Sequence, residues 1–140
     1  TSGTDSDWIV KLIDVLPDDV KDPEDLPKTM HWSGAQLLVR SEVLRGRFRE
    51  SYATPEAFVP NEPTRVTVRL QDVLHTFKKG HRVMVQVQSS WFPLIDRNPQ
   101  TFVPNIFQAE DADFVAATHR VFRSETQASH LLLPVVATGR

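Results

Sequence analysis

An all-β sandwich is the fold this sequence predicts, and three observations predict it. Apolar and polar residues alternate with a period of two over several short stretches. The connections between them are long and rich in turn residues, with the ten prolines sitting almost wholly in those connections or at strand ends, where a missing N–H costs little. Nowhere does a strand pattern alternate with a long helical one, which sets aside a doubly wound α/β domain. Long loops at the ends of a sandwich are also the pattern of a jelly roll.

The elements follow in order. DWIVKLIDVL (7–16) is β-branched and almost continuously apolar, as expected of a strand covered on both faces. QLLVRSEVLRGRFRES (36–51) is ambiguous at its start, but Gly46 and the alternation from Leu44 to Arg49 favour a strand in its second half, and we read the whole as a strand. RVTVRLQ (65–71) sets Val66, Val68 and Leu70 against Thr67, Arg69 and Gln71. HRVMVQVQ (81–88) sets Val83, Val85 and Val87 against Arg82, Gln86 and Gln88, with Met84 the apolar exception on the polar face. DFVAATHRVF (113–122) and HLLLPVV (130–136) complete the expected strands. LHTFKKG (74–80) reads as a short turn.

Composition bounds the function. A chain of 140 residues is the size of one domain, 1–140, and can bury a core without staples. A formal charge of −2 argues against a nucleic-acid binder, whose footprint is a basic face. No apolar run approaches the roughly 20 residues that span a membrane. With no cysteine there is no disulfide framework, thiol nucleophile or cysteine-ligated zinc. The opening TSGTDSDW has neither a methionine nor a basic-then-apolar leader, which suggests a piece excised from something longer.

Catalytic patterns are hard to find. A G-x-S-x-G elbow does not occur, and Ser33 in HWSGA lacks the preceding strand and first glycine. His31, His75, His81, His119 and His130 are scattered without the i, i+4 spacing of a helical metal site, so no metal and no cofactor is expected. The acids at Asp18-Asp19, Asp22-Glu24-Asp25 and Glu110-Asp111-Asp113 lack the spaced ligands and central glycine of a calcium loop and read as solvated charge. Arg45, Arg47 and Arg49 in RGRFR are expected on an outward strand face, paired with acids of this domain or a neighbour.

That leaves SSWFPLIDRNPQ (89–100). Trp91 and Phe92 could form a sugar-stacking platform, making the chain a carbohydrate-binding module. Alternatively they close the end of the core, with Asp96 and Asn98 bonding the loop's own backbone. The residues leave both readings open.

Four blocks carry a resemblance: DSDWIVKLIDVLPDD, LRGRFRESYATPEAFVPNEP, FKKGHRVMVQVQSSWFPLIDRNPQTFVPN, and THRVF followed by SHLLLPVV. In that order they resemble the C-terminal domain of the X-Pro dipeptidyl-peptidase and cocaine-esterase type of serine hydrolase, above all α-amino acid ester hydrolases and glutaryl cephalosporin acylases. The resemblance implies a jelly roll of the galactose-binding-like type whose first strands lie upstream of DSDW. It also implies a catalytic α/β-hydrolase domain of the same parent chain as partner, and a secreted or periplasmic setting; a homo-oligomer is left open. The family's Ser-His-Asp triad lies outside these blocks, so no catalytic residue is assigned. SSWFPLIDRNPQ then becomes an architectural loop facing the catalytic body. Its candidate anchors are Trp91, Phe92, Asp96, Arg97 and Asn98, with Arg47 and Phe48 beside them.

Overall fold

A computed structural model describes residues 1–136. Strand β1 (Asp7–Val15) is flanked by β2 (Gln36–Arg45) and β3 (Arg82–Gln88) in one antiparallel sheet of order β2-β1-β3. The continuous apolar run of β1 fits its central place. Ile9, Ile13 and Val15 point to one face and Leu12 to the other, and all four are at most 6% exposed. Between Leu12 and Ile13 the pairing with β2 slips, leaving Val39 as an extra residue on β2, whereas the β1–β3 register runs unbroken from Ile9↔Gln88 to Val15↔Arg82.

Extended segments make up most of the remainder of the described residues, in keeping with the all-β expectation, and three single 3₁₀ turns are the only helical elements among them. RVTVRLQ, DFVAATHRVF and HLLLPVV, each expected as a strand, carry no ladder among the described residues. Their side-chain alternation nevertheless survives in part. Val66, Val68 and Leu70 are half-buried while Thr67, Arg69 and Gln71 are exposed. A period-two pattern specifies which face is covered; a ladder also needs a neighbouring backbone. Gln71 touches the outer flank of β2 through its side chain, bonding Arg40 and Glu42. Around Asp113 the chain turns instead, as a 3₁₀ helix (Asp111–Asp113) whose Glu110 and Asp113 form a reciprocal capping box.

The strand expected to run through Arg49 stops at Arg45, and Gly46–Phe48 form a 3₁₀ turn. Close approach is the cause. Gly46 donates its N–H to the Ser6 carbonyl at 2.8 Å. A Cβ on Gly46 would lie 2.5 Å from the Phe58 ring and 2.6 Å from that carbonyl. The turn swings Arg47 inward, and the expected outward arginine face does not form: the side chains of Arg45, Arg47 and Arg49 are 24%, 6% and 9% exposed.

Candidate functional site: a buried ionic anchor and the loop it holds

Four buried polar residues among those described lie together where β1 begins and β2 ends. Asp5, Asp7, Arg47 and Asn98 are 0%, 1%, 6% and 7% exposed. Charges so deep persist only when paired and fully bonded. Arg47 donates from Nε to Asp5 Oδ2 at 2.9 Å and from Nη2 to the Val103 carbonyl at 2.8 Å, and Nη2 lies in ion-pair contact with the same Asp5 oxygen at 2.7 Å. Its guanidinium lies 4.5 Å from the Phe102 ring centre. The other oxygen of Asp5 accepts the Ser6 N–H at 2.9 Å.

Asp7 forms the second half. Its Oδ1 accepts from Asn98 Nδ2 at 2.9 Å and its Oδ2 from Arg45 Nη1 at 3.3 Å, while Arg45 also reaches Asp96 at 3.7 Å. Burial pushes the Asp7 carboxyl above the usual carboxylate range, against the Asn98 hydrogen bond and the Arg45 charge that pull it down. Asn98 in turn accepts the Gln100 N–H at 2.8 Å. The Gln100 carbonyl receives the N–H groups of Thr4 and Asp5, at 3.0 and 3.2 Å. Residues 96–103 are therefore laced to the start of β1 by side chain and backbone alike.

From this base the loop rises to an apolar tip. Trp91 sits at its near end with Lys11 Nζ 4.1 Å from the ring centre, so one face of the indole is already occupied by β1. Phe92 and Leu94 stand out at 64% and 66% exposure. The Arg97 guanidinium lies between two rings, 5.8 Å from Phe92 and 5.7 Å from Phe114. Of the residues singled out in the sequence, Arg47, Asn98 and, through Arg45, Asp96 join the anchor. Phe92 and Arg97 form the tip, Trp91 braces it, and Phe48 stacks on Tyr52 at 6.2 Å instead.

Arg45 and Arg49 do pair with acids of this domain, Arg45 as above and Arg49 with Glu56 at 3.7 Å; Arg49 also donates to the carbonyls of Gly46, Glu56 and Ala57. Ser33 donates its hydroxyl to the Asp18 carbonyl, which leaves it no imidazole. A cleft of about 400 Å³ brings Ser89 and Ser90 near His119, yet no hydrogen bond joins either hydroxyl to that ring, and burial holds His119 below the ordinary imidazole range. Without a base on a hydroxyl, none of these serines is an activated nucleophile. Among the described residues no group of three or more His, Asp or Glu is placed to hold a metal ion.

Two pairings escaped the sequence. Asp5 and Asp7 read there only as the lead-in to a strand, and nothing local marks them as buried partners of arginines about 40 positions away. His75 and His81, seemingly scattered, converge on Asp14, which accepts from His75 Nε2 and His81 Nδ1 at 2.8 Å each. Burial alone would raise the Asp14 carboxyl; the two imidazole hydrogen bonds outweigh it and hold it below the usual range.

Comparison with known proteins gives this geometry a context. Residues 1–132 match the family described as the X-Pro dipeptidyl-peptidase C-terminal non-catalytic domain. Cocaine esterase of Rhodococcus sp. (strain MB1 Bresler) is 30% identical over 136 residues, 97% of this chain and 21% of that protein. A selenomethionine-labelled α-amino acid ester hydrolase superposes with a TM-score of 0.73 at 52% identity, over 81% of this chain and 18% of that one. An aminopeptidase from a marine sediment archaeon, Thaumarchaeota archaeon, superposes with a TM-score of 0.71 at 50% identity, with the same 81% and 18% coverage. The chain thus spans about a fifth of the length of the relatives it matches.

Proposed function

The chain belongs to the family of X-Pro dipeptidyl-peptidase C-terminal non-catalytic domains, and from that premise we propose that it serves as the accessory domain of a longer serine hydrolase, docking on the catalytic region through the tip of its 89–97 loop. One observation carries the reading: a loop with an exposed apolar tip, Phe92 and Leu94, stands on a base locked by buried charges. A mobile loop would lose conformational entropy on docking, whereas one held at its base has lost much of it on folding. Interfaces between domains of one chain bury roughly 600–1,500 Å² and concentrate their energy in a few aromatic and arginine anchors. Phe92 and Arg97 fit that description, with Trp91 beneath them as support.

In this reading the domain stabilises the catalytic region and fixes part of the wall around its active site. The acyl-transfer chemistry, with serine nucleophile, histidine base and oxyanion hole, belongs to the rest of the hydrolase, which acts on small acyl esters or amides. The test is direct. Incubated with a chromogenic α-amino acid ester, the 140-residue chain releases product no faster than buffer. Turnover above that rate, abolished by Ser33→Ala, would overturn the reading.

A further inference from the structure

We propose that Arg45 is a proton-driven switch at the base of the 89–97 loop: ionised Asp7 holds it, and a proton on Asp7 passes it to Asp96. This goes beyond the docking of the loop tip and does not depend on it, since every group involved belongs to this chain.

Both oxygens of Asp7 are engaged as acceptors. Oδ1 takes the Asn98 Nδ2–H at 2.9 Å and Oδ2 takes the Arg45 Nη1–H at 3.3 Å. A proton added to this carboxylate turns one acceptor into a donor that faces another donor. One of the two partners must then withdraw. Asn98 is buried, and its own side-chain oxygen is held by the Gln100 N–H at 2.8 Å, which fixes the orientation of the amide. Arg45 is the freer of the two. Its side chain is 24% exposed, and its Nη2 already lies 3.7 Å from Asp96 Oδ2. The proton therefore settles on Oδ2, and Arg45 turns to the second acid.

Burial makes Asp7 the acid that yields. Water solvates the Asp96 carboxylate, 61% exposed, whereas Asp7, 2% exposed, must hold its charge out of water. That burial lifts the Asp7 carboxyl above its ordinary 3.8, and the Asp5 carboxylate adds to the effect, against Asn98, Arg45 and Arg47. These groups face it from every adjoining element: Arg45 across the β1–β2 pairing, Arg47 on the 3₁₀ turn, Asp5 ahead of β1, and Asn98 and Asp96 on the loop. Strand β3 pairs with β1 only from Ile9 onward and ends there in the neutral Gln88. A folded-state value above 3.8 means that the folded chain binds this proton more tightly than the unfolded chain does. The stability so gained is complete below 3.8 and is lost as pH rises through the folded value. Asp14, at the far end of β1, is held below 3.8 and titrates outside this window. Within it, Asp96 is drawn toward the end of β2 while Asn98 keeps its bond to Asp7, so acid resets the footing of the loop without unlacing it.

Side-chain NMR of the 140-residue chain as a function of pH tests the switch. The Asp7 carboxyl carbon and the Arg45 guanidinium should shift together, with one shared midpoint above 3.8. In Asp7→Asn, whose neutral amide stands in for the protonated acid, the Arg45 signals should sit at their acid position at every pH above 3.8. In Asp96→Asn, a change at an exposed side chain, Arg45 loses its alternative acid. The Asp7 midpoint should then fall, and the Arg45 shift on acidification should be lost. Three results would overturn the proposal: an Asp7 midpoint at or below 3.8, an Asp7 titration that leaves the Arg45 signals unmoved, or an Arg45 shift of undiminished size in Asp96→Asn.

Discussion

Replacing Arg47 with leucine removes one partner of a buried ion pair and leaves the other in place. Asp5 is wholly buried and Arg47 is 6% exposed, so water cannot replace the lost contacts without opening the structure. Two hydrogen bonds and an ion-pair contact disappear: Nε to Asp5 Oδ2 at 2.9 Å, Nη2 to the Val103 carbonyl at 2.8 Å, and Nη2 beside Asp5 Oδ2 at 2.7 Å. Asp5 keeps only its bond from the Ser6 N–H. Breaking a buried pair by truncating one side costs about 3–5 kcal/mol, far more than the ~0–1 kcal/mol of an exposed pair. For a domain of this length 1 kcal/mol moves Tm by roughly 3–5 °C, so Arg47→Leu should melt on the order of 10–20 °C below wild type. Urea unfolding of Arg47→Leu, Asp5→Asn and the double variant gives the coupling directly. The double variant should recover part of the loss, because a neutral amide in place of the Asp5 carboxylate no longer strands a charge. Arg47→Lys should fall between, keeping charge but losing the fork that serves Asp5 and Val103 together. If Arg47→Leu unfolds within about 0.5 kcal/mol of wild type, the range of an ordinary surface substitution, the anchor is not what holds the loop base, and the reasoning from burial fails.

Two further outcomes follow from the same structure. Gly46→Ala puts a methyl 2.5 Å from the Phe58 ring and 2.6 Å from the Ser6 carbonyl, and should cost about 1–3 kcal/mol as an overpacked site, read as a lowered urea midpoint with unchanged slope. For Asp14, whose folded-state pKa lies below the ordinary 3.8, the stabilisation is present above that value and is lost as pH falls from 3.8 through the folded value. The stability gap between wild type and Asp14→Asn should therefore be widest above pH 3.8 and close below it; a gap independent of pH across that window would rule the ionised clamp out.

What the sequence made legible were the patterns that a single segment contains. The apolar run of β1 announced a central strand, and the alternation of RVMVQVQ announced β3. Arg47 and Asn98 entered as candidate anchors of the loop, but Arg47 was expected on an outward strand face, where the structure buries it instead. What stayed hidden depends on encounters between distant segments. Gly46 reads as a neutral member of an alternating run until Ser6 and Phe58 arrive beside it, and then only the absence of a Cβ lets the chain turn. His75 and His81 have no helical or strand spacing in common; they meet because the turn at Gly80 and the end of β1 bring both rings to one carboxylate. Likewise RVTVRLQ and DFVAATHRVF show strand alternation in their side chains, but a ladder is a property of two backbones and cannot be read from one.

The central claim is that the locked loop presents its tip to the catalytic region, and the most direct measurement is made on the intact hydrolase. Phe92→Ser with Leu94→Ser removes two side chains that are 64% and 66% exposed in this domain, so the domain itself should lose little stability. In the intact enzyme the pair should lower the melting temperature and raise KM for a chromogenic ester, with kcat within about two-fold of wild type, because a docking contact positions the catalytic region without touching the chemical step. An intact enzyme whose melting temperature and KM are unmoved, or whose kcat collapses at unchanged stability, would contradict the account.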